Sequence, residues 1–314
     1  MRRSDAALLL AGTVLGLLAA EGAVRVLGLA RPRPSGYQPV NTARHVSRPR
    51  NSLGYRDLER ALAKPPGTTR IVALGDSFTW GAGVDFDDAY PQRLERALSR
   101  RRGGPVEVIN LALPGFNTAD ELAVLEKQGF AYRPDLVLVG YVLNDAEDAS
   151  SAEWRRTQEW ERERARGPWP WQRSALLRFV AGRLWATREN HRRIADYREM
   201  YAEGAPGWTV SRAALGTLGA LCRRRGVPLV VAIFPLFGNS LGDDYPFAEV
   251  HAEVAAAASR AGARVVDLLT AYRGLRSELL VVDAADEHPN EIAQRIAAKT
   301  LVPVLEDLLP DGPA

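Results

Sequence analysis

Cysteine is nearly absent from this chain: Cys222 is the only one in 314 residues. No intramolecular disulfide can form, and no cysteine-based zinc site can be built. Cys222 follows Leu221 on an apolar helix face and reads as a small core residue. Histidine is almost as scarce. His45, His191, His251 and His288 are all there are, so any chemistry that needs an imidazole must use one of these four. An excess of one charge is also missing. Forty-one basic residues stand against 38 acidic ones, a net charge of +3. That balance offers no basic field for a nucleic acid, and no such partner is expected. No solenoid-type repeat is present. Metal and cofactor are both expected to be absent. What remains is an ordinary globular composition, 46% hydrophobic and 25% charged, long enough for one sizeable α/β domain with appendages.

The amino terminus departs from this average. Met1-Arg2-Arg3 is a short basic start, and the fifteen residues Ala6 to Ala20 are uncharged and rich in Leu and Ala. Glu21 and Arg25 interrupt the run, and Val26 to Ala30 is apolar again. Read to Ala30, the stretch is long enough for an uncleaved single-pass anchor in the cytoplasmic (inner) membrane. The alternatives are a cleaved signal sequence, with small residues around Ala19 to Ala23 at the cut, and a buried amphipathic helix. With Arg2 and Arg3 held inside, the rest of the chain lies on the extracytoplasmic, periplasmic side. Arg31-Pro32-Arg33-Pro34 reads as a stiff exit linker. Residues 1–30 are therefore taken as anchor or signal, 31–69 as linker and lead-in, and 70–314 as the main domain.

The main domain alternates strand and helix. Ile71 to Leu74, Val106 to Leu111, Leu136 to Leu143, Val227 to Phe234 and Arg264 to Leu268 read as five buried strands. Helices are expected over Asp88 to Arg102, Thr118 to Gln128, Ser211 to Arg225, Phe247 to Ala261 and Asn290 to Leu309. Thr118 is the expected N-cap of the second, with Glu121 completing a capping box. Pro303 should kink or interrupt the last. Strict alternation implies a flavodoxin-like three-layer α/β/α fold with a five-stranded parallel sheet. A polar, Trp- and Arg-rich insertion at about 146–207 separates the third and fourth strands. It contains an expected solvated helix at Glu153 to Arg166, a break at Gly167 to Trp171 and an amphipathic helix at Ser174 to Trp185. It reads as helices packed on the sheet edge, or as a cap over the crevice or a surface leaning on a membrane.

Strand one ends in Gly75-Asp76-Ser77. A strand that breaks into a tight turn presenting a serine is how an α/β fold offers a nucleophile. Ser77 could equally be a helix N-cap. A serine hydroxyl needs a base, and His288 lies in Val282-Asp283-Ala284-Ala285-Asp286-Glu287-His288-Pro289-Asn290, on an expected loop with three carboxylates close by. A carboxylate on Nδ1 would turn Nε2 toward a serine. His251 reads as a packing or surface histidine, and His45 and His191 have no suggestive neighbours. Asp76 and Asp145 read as structural.

These blocks, in this order, resemble the SGNH, or GDSL-type, esterase and lipase superfamily. Gly75-Asp76-Ser77 resembles its nucleophile block, and Asn110-Leu111-Ala112-Leu113-Pro114-Gly115-Phe116-Asn117 its second block. Asn144-Asp145 resembles the third, and Asp286-Glu287-His288-Pro289-Asn290 the last. The resemblance implies Ser77 as nucleophile, His288 as base, and an oxyanion hole from Ser77, Gly115 and Asn144. The family's usual aspartate position, three before the histidine, is Ala285 here. Asp286 is the preferred replacement and Asp283 the alternative. Val142 stands where the family has a glycine, and the nearest glycine is Gly140. The implied activity is hydrolysis of acyl esters, acetyl groups among them, on a small molecule, lipid or glycan outside the cytoplasm. Acyl transfer to an envelope glycan, or an inactive glycan-binding scaffold, are the alternatives.

Overall fold

The protein is described by a computed structural model covering residues 3–28, 50–148, 174–283 and 286–310. The expected helix Glu153 to Arg166, the break at Gly167 to Trp171, the exit linker and His45 lie outside these residues. The chain divides into two compact units, Met1–Arg33 with Ala152–Asp196, and Pro34–Ser151 with Tyr197–Ala314.

The second unit holds the sheet. Strands β1 (Thr69–Gly75), β2 (Val106–Asn110), β3 (Leu136–Tyr141), β4 (Leu229–Ile233) and β5 (Arg264–Asp267) pair in the order β2-β1-β3-β4-β5, all parallel. Every residue of β1, β3 and β4 is buried, which is why these strands read as apolar runs once past Thr69 and Arg70 at the start of β1. The fold is the five-stranded parallel sheet with flanking helices that the alternation implies. The chain leaves β1 for β2 on one side and then crosses to β3 on the other. This reversal opens a crevice at the carboxyl ends of β1 and β3.

Some expectations shift. The second helix is Thr118–Lys127, and its N-cap is Asn117, not Thr118. The Asn117 side chain accepts from the Ala119 and Asp120 N–H groups, and Asp120, not Glu121, closes the box. Asparagine caps at least as well as threonine. Thr118 and Glu121 are instead turned inward and fully buried. The last helix, Glu291–Leu308, runs through Pro303 without a break. Pro303 is exposed, so its missing N–H falls on the solvent side while Ala297, Leu301 and Leu305 stay buried. The helix expected to end at Trp185 continues to Met200. No glycine or proline follows Trp185 until Gly204, which adopts φ 80°.

Two further strands, β6 (Val281–Asp283) and β7 (Asp286–Pro289), form an antiparallel pair. His288 therefore stands on a strand, not on a loop. A strand here lets Asp286 and His288, two apart, point the same way.

The segment before β1 is tied to the sheet by buried charges. The Arg56 guanidinium donates to the Trp80, Gly81 and Val84 carbonyls at 3.2, 2.5 and 2.7 Å. It thus caps the end of the short helix Ser77–Trp80 and stacks on Trp80. Arg70 donates to the Ala61, Leu62 and Tyr132 carbonyls and pairs with Glu107 at 2.6 Å. The Asp57 carboxylate accepts from the Asn110 N–H at the end of β2. Arg56→Met removes the guanidinium bond from three carbonyls, of which Gly81's keeps another donor, the Val84 N–H at 3.4 Å; each lost bond costs about 1 kcal/mol or more. Urea unfolding should show a loss of roughly 3 kcal/mol or more, and an unchanged midpoint would contradict this.

Candidate active site

The crevice is built from the ends of β1, β2 and β3 and from the β6–β7 pair. At the end of β1 the backbone turns at Gly75, φ 152°. A Cβ there would fall 2.1 Å from Thr79 Oγ1, so only glycine fits. Gly75 stands beside Gly140 in the register of β1 and β3. A Cβ on Gly140 would meet Thr79 Oγ1 at 2.2 Å and Tyr90 Oη at 2.6 Å. The two glycines leave room for the buried Thr79–Tyr90 hydrogen bond of 2.9 Å, which seats the serine helix on the sheet. The close approach thus occurs at Gly140, and Val142 is simply buried.

Asp76 caps that helix. Its carboxylate accepts from the Phe78 N–H at 2.8 Å and from the Asn144 side-chain amide at 3.2 Å. Burial pushes Asp76 upward from its usual pKa; the Phe78 N–H, the Asn144 amide and the charge of His288 act against that. Asn144 sits in the 3-10 turn Leu143–Ala146 that follows β3. The loop carrying Gly115 runs beside the end of β1, with the Leu113 N–H donating to the Gly75 carbonyl at 3.3 Å. Gly115 adopts φ 84° in the turn closed by the Phe116 N–H on the Leu113 carbonyl, and is exposed.

His288 reaches both partners. Its Nε2 lies 2.8 Å from Ser77 Oγ, and its Nδ1 lies 2.5 Å from Asp286 Oδ1. The same oxygen also accepts the His288 backbone N–H at 3.1 Å. Asp283 pairs with Asp286 in the backbone register; its side chain, like all of Ala285, lies outside the described residues. Burial disfavours a charge on His288. The hydrogen bond to Asp286, with the charges of Asp286, Asp76 and Glu287, outweighs this, and the imidazole pKa is raised. The hydrogen bond from His288 holds Asp286 below the usual carboxylate range, against the effect of burial.

Several supports had no clear signal in the sequence. Gln294, fully buried, donates to the Phe78 carbonyl at 3.0 Å and accepts the Tyr90 N–H at 2.8 Å. It ties the last helix to the serine helix across more than two hundred residues. Phe78 packs edge-on to His288 at 5.6 Å and also touches Phe234 and Phe237. Asn290 caps the last helix and donates to the Leu279 and Val281 carbonyls, which fixes β6 and β7 above it. Its place after His288 and before an apolar helical run was the legible signal. His251 is buried between Asp267 at 2.9 Å and Tyr245 at 3.2 Å, a packing role away from Ser77. The side chain of His191 lies outside the described residues. Among the described residues no group of three or more His, Cys, Asp or Glu could hold a metal ion.

The structure of TesA is 18% identical, covering 77% of this chain and all of that one, with a TM-score of 0.48. A lipase/acylhydrolase from Enterococcus faecalis is 17% identical over 78% of this chain and 100% of that one, TM-score 0.46. A two-domain esterase active on acetylated mannans is 12% identical over 79% of this chain and 52% of that one, TM-score 0.46. No curated protein sequence matches the chain. The GDSL-like Lipase/Acylhydrolase family matches over residues 73–296, a span that takes in Ser77, Gly115, Asn144, Asp286 and His288, and the chain belongs to that family of ester-hydrolysing serine enzymes.

Proposed function

We propose that the protein is a membrane-anchored serine esterase in which Ser77 is the nucleophile, His288 the general base and Asp286 its partner. The observation that carries the reading is the unbroken line from Ser77 Oγ to His288 Nε2 at 2.8 Å and from Nδ1 to Asp286 at 2.5 Å. Ser77 Oγ attacks the ester carbonyl while Nε2 takes its proton. The carbonyl oxygen becomes an oxyanion, received by the Ser77 and Gly115 N–H groups and the Asn144 amide. An amide has two N–H bonds. One of Asn144's is given to Asp76, which aims the other. Each such donor lowers the barrier by about 3–4 kcal/mol. The imidazolium returns its proton to the leaving alcohol. Water then attacks the acyl-enzyme, again giving its proton to His288, and the acid leaves as Ser77 is restored.

The anchor is the helix Arg3–Val26. Its segment Leu8–Val26 is 19 residues long, apolar and almost wholly unburied, which at 1.5 Å per residue is about 28 Å, close to the thickness of a bilayer core. A carboxylate near one end of such a segment needs partners. Glu21 finds them in the Ser174 hydroxyl at 2.8 Å, the Ala175 and Leu176 N–H groups at 2.9 and 2.7 Å, and Arg25 at 2.6 Å. The apolar helix thus caps the helix Ala175–Met200 of the insertion. Cleavage near Ala19 to Ala23 would undo that cap, which supports a retained anchor. Arg2 and Arg3 inside put the esterase unit on the extracytoplasmic side.

Four measurements test this reading. With an aryl acetate, Ser77→Ala should reduce turnover about 10⁴-fold or more; hydrolysis that survives removes Ser77 as nucleophile. The base must be neutral to act. A raised pKa keeps His288 protonated to higher pH, so kcat/KM should climb with a midpoint above the ordinary imidazole value of 6.5. Asp286→Asn should move that midpoint down and cost roughly 10²–10⁴-fold in kcat, with Asp283→Asn close to wild type; the reverse order would give the role to Asp283. Carbonate washing of membranes should leave the full-length chain in the pellet, and release into the supernatant would contradict the anchor.

A further inference from the structure

Behind the Asn144 turn lies a buried group of acids that the reaction does not use. Asp145, the residue after Asn144, is buried, and its Oδ2 meets Thr118 Oγ1 at 3.3 Å. Thr118 bonds Ser211 at 2.9 Å, and Ser211 bonds Tyr141 at 3.0 Å. Tyr141 meets Tyr201 at 2.8 Å, and Tyr201 donates to the Leu143 carbonyl. This chain of hydroxyls clamps the turn between the Thr118–Lys127 helix and the Pro206–Arg225 helix.

One member stands outside the chain. Glu121, one turn after Thr118, is fully buried. Among the described residues neither of its oxygens meets a hydrogen-bond donor, and neither does Oδ1 of Asp145. The groups acting on Glu121 are all acidic: Asp76 from the serine turn, Asp145 from the Asn144 turn and Asp120 from its own helix. The Tyr90 and Tyr141 hydroxyls, bonded to Thr79 and to Tyr201 and Ser211, are also within reach of its charge. A carboxylate buried without donors is far costlier than the neutral acid.

We propose that Glu121 is an un-ionised carboxylic acid in the working enzyme and that its loss of a proton is an alkaline switch on the oxyanion hole. The electrostatics agree in direction. Burial, then the charges of Asp76 and Asp120, push Glu121 well above the usual carboxylate range. The tetrahedral intermediate puts a full negative charge on the substrate oxygen beside Asn144. A second negative charge behind Asn144 opposes it across a low-dielectric interior, enough to slow acylation about tenfold. The neutral acid keeps that space silent.

The effect on rate rests on the esterase reading, so the test has two arms. In the first, kcat/KM for an aryl acetate is followed with pH, corrected for spontaneous hydrolysis. Wild type should fall about tenfold on the alkaline side. Glu121→Gln should keep the wild-type rate at neutral pH and stay level. Glu121→Met, apolar and of similar length, should do the same and covers the case that the amide variant does not fold. An alkaline fall shared by wild type and variants, or no fall in wild type, overturns the proposal. In the second arm, infrared difference spectra of the full chain should show the carbonyl stretch of an un-ionised carboxyl at neutral pH. It should be lost on alkaline titration and in Glu121→Gln. Its absence from wild type overturns the proposal whether or not any ester is cleaved. Its presence with no ester turnover supports the neutral acid and sinks the esterase reading alone.

Discussion

Asp76 has 1% of its surface exposed, and the geometry of the crevice hangs from its carboxylate. One oxygen takes the Phe78 N–H and so starts the serine helix; the other takes the Asn144 amide and so fixes the end of β3. A buried anion costs several kcal/mol unless donors meet it, and here the donors are the parts the chemistry needs. Losing the Asn144 bond would free that amide to rotate. Losing the Phe78 bond would free the serine. The third residue of the motif attracts attention as the proposed nucleophile, but the second decides where that serine and the Asn144 amide stand.

Much of this was legible in the sequence because the signals were local. The β-branched runs of β1, β3 and β4 are buried on both faces, so period and composition agreed on strand and on a parallel sheet. Gly75-Asp76-Ser77 and Asn144 fall at strand ends, where a turn is needed in any case. The errors were of two physical kinds. At Asn117 and Thr118 two adjacent residues can both cap, and what decided between them was the inward pull of Ser211 on Thr118, a contact 93 residues away. At Pro303 the proline falls on the exposed side of an amphipathic helix and does not interrupt it, and beyond Trp185 no glycine or proline stops the helix before Gly204. Gln294, Thr79 and Tyr90 were illegible for the first reason: each is an unremarkable residue until the fold brings its partner.

The same distinction separates the departures from the family's pattern. Ala285 in place of the usual aspartate looks like a missing part when the chain is read as a string. In the fold a carboxylate still meets His288, because Asp286 lies two residues before it on β7 and shares its face. Val142 in place of glycine looks like a crowded strand end, but the tight contact has moved to Gly140, which stands beside Gly75. In both cases the chemistry needs a position in space, and more than one position in sequence can reach it.

The β6–β7 pair therefore makes Asp286 and His288, the proposed acid and base, a self-contained cassette. The bond from Asp286 to the His288 ring, and the bond from the same oxygen to the His288 backbone, both close within three residues. No distant element has to arrive for the imidazole to be oriented and its tautomer chosen. The serine and the histidine, 211 residues apart, meet through one adjustment, the seating of a short hairpin over the start of the last helix. Docking, more than assembly, is what the fold must get right here.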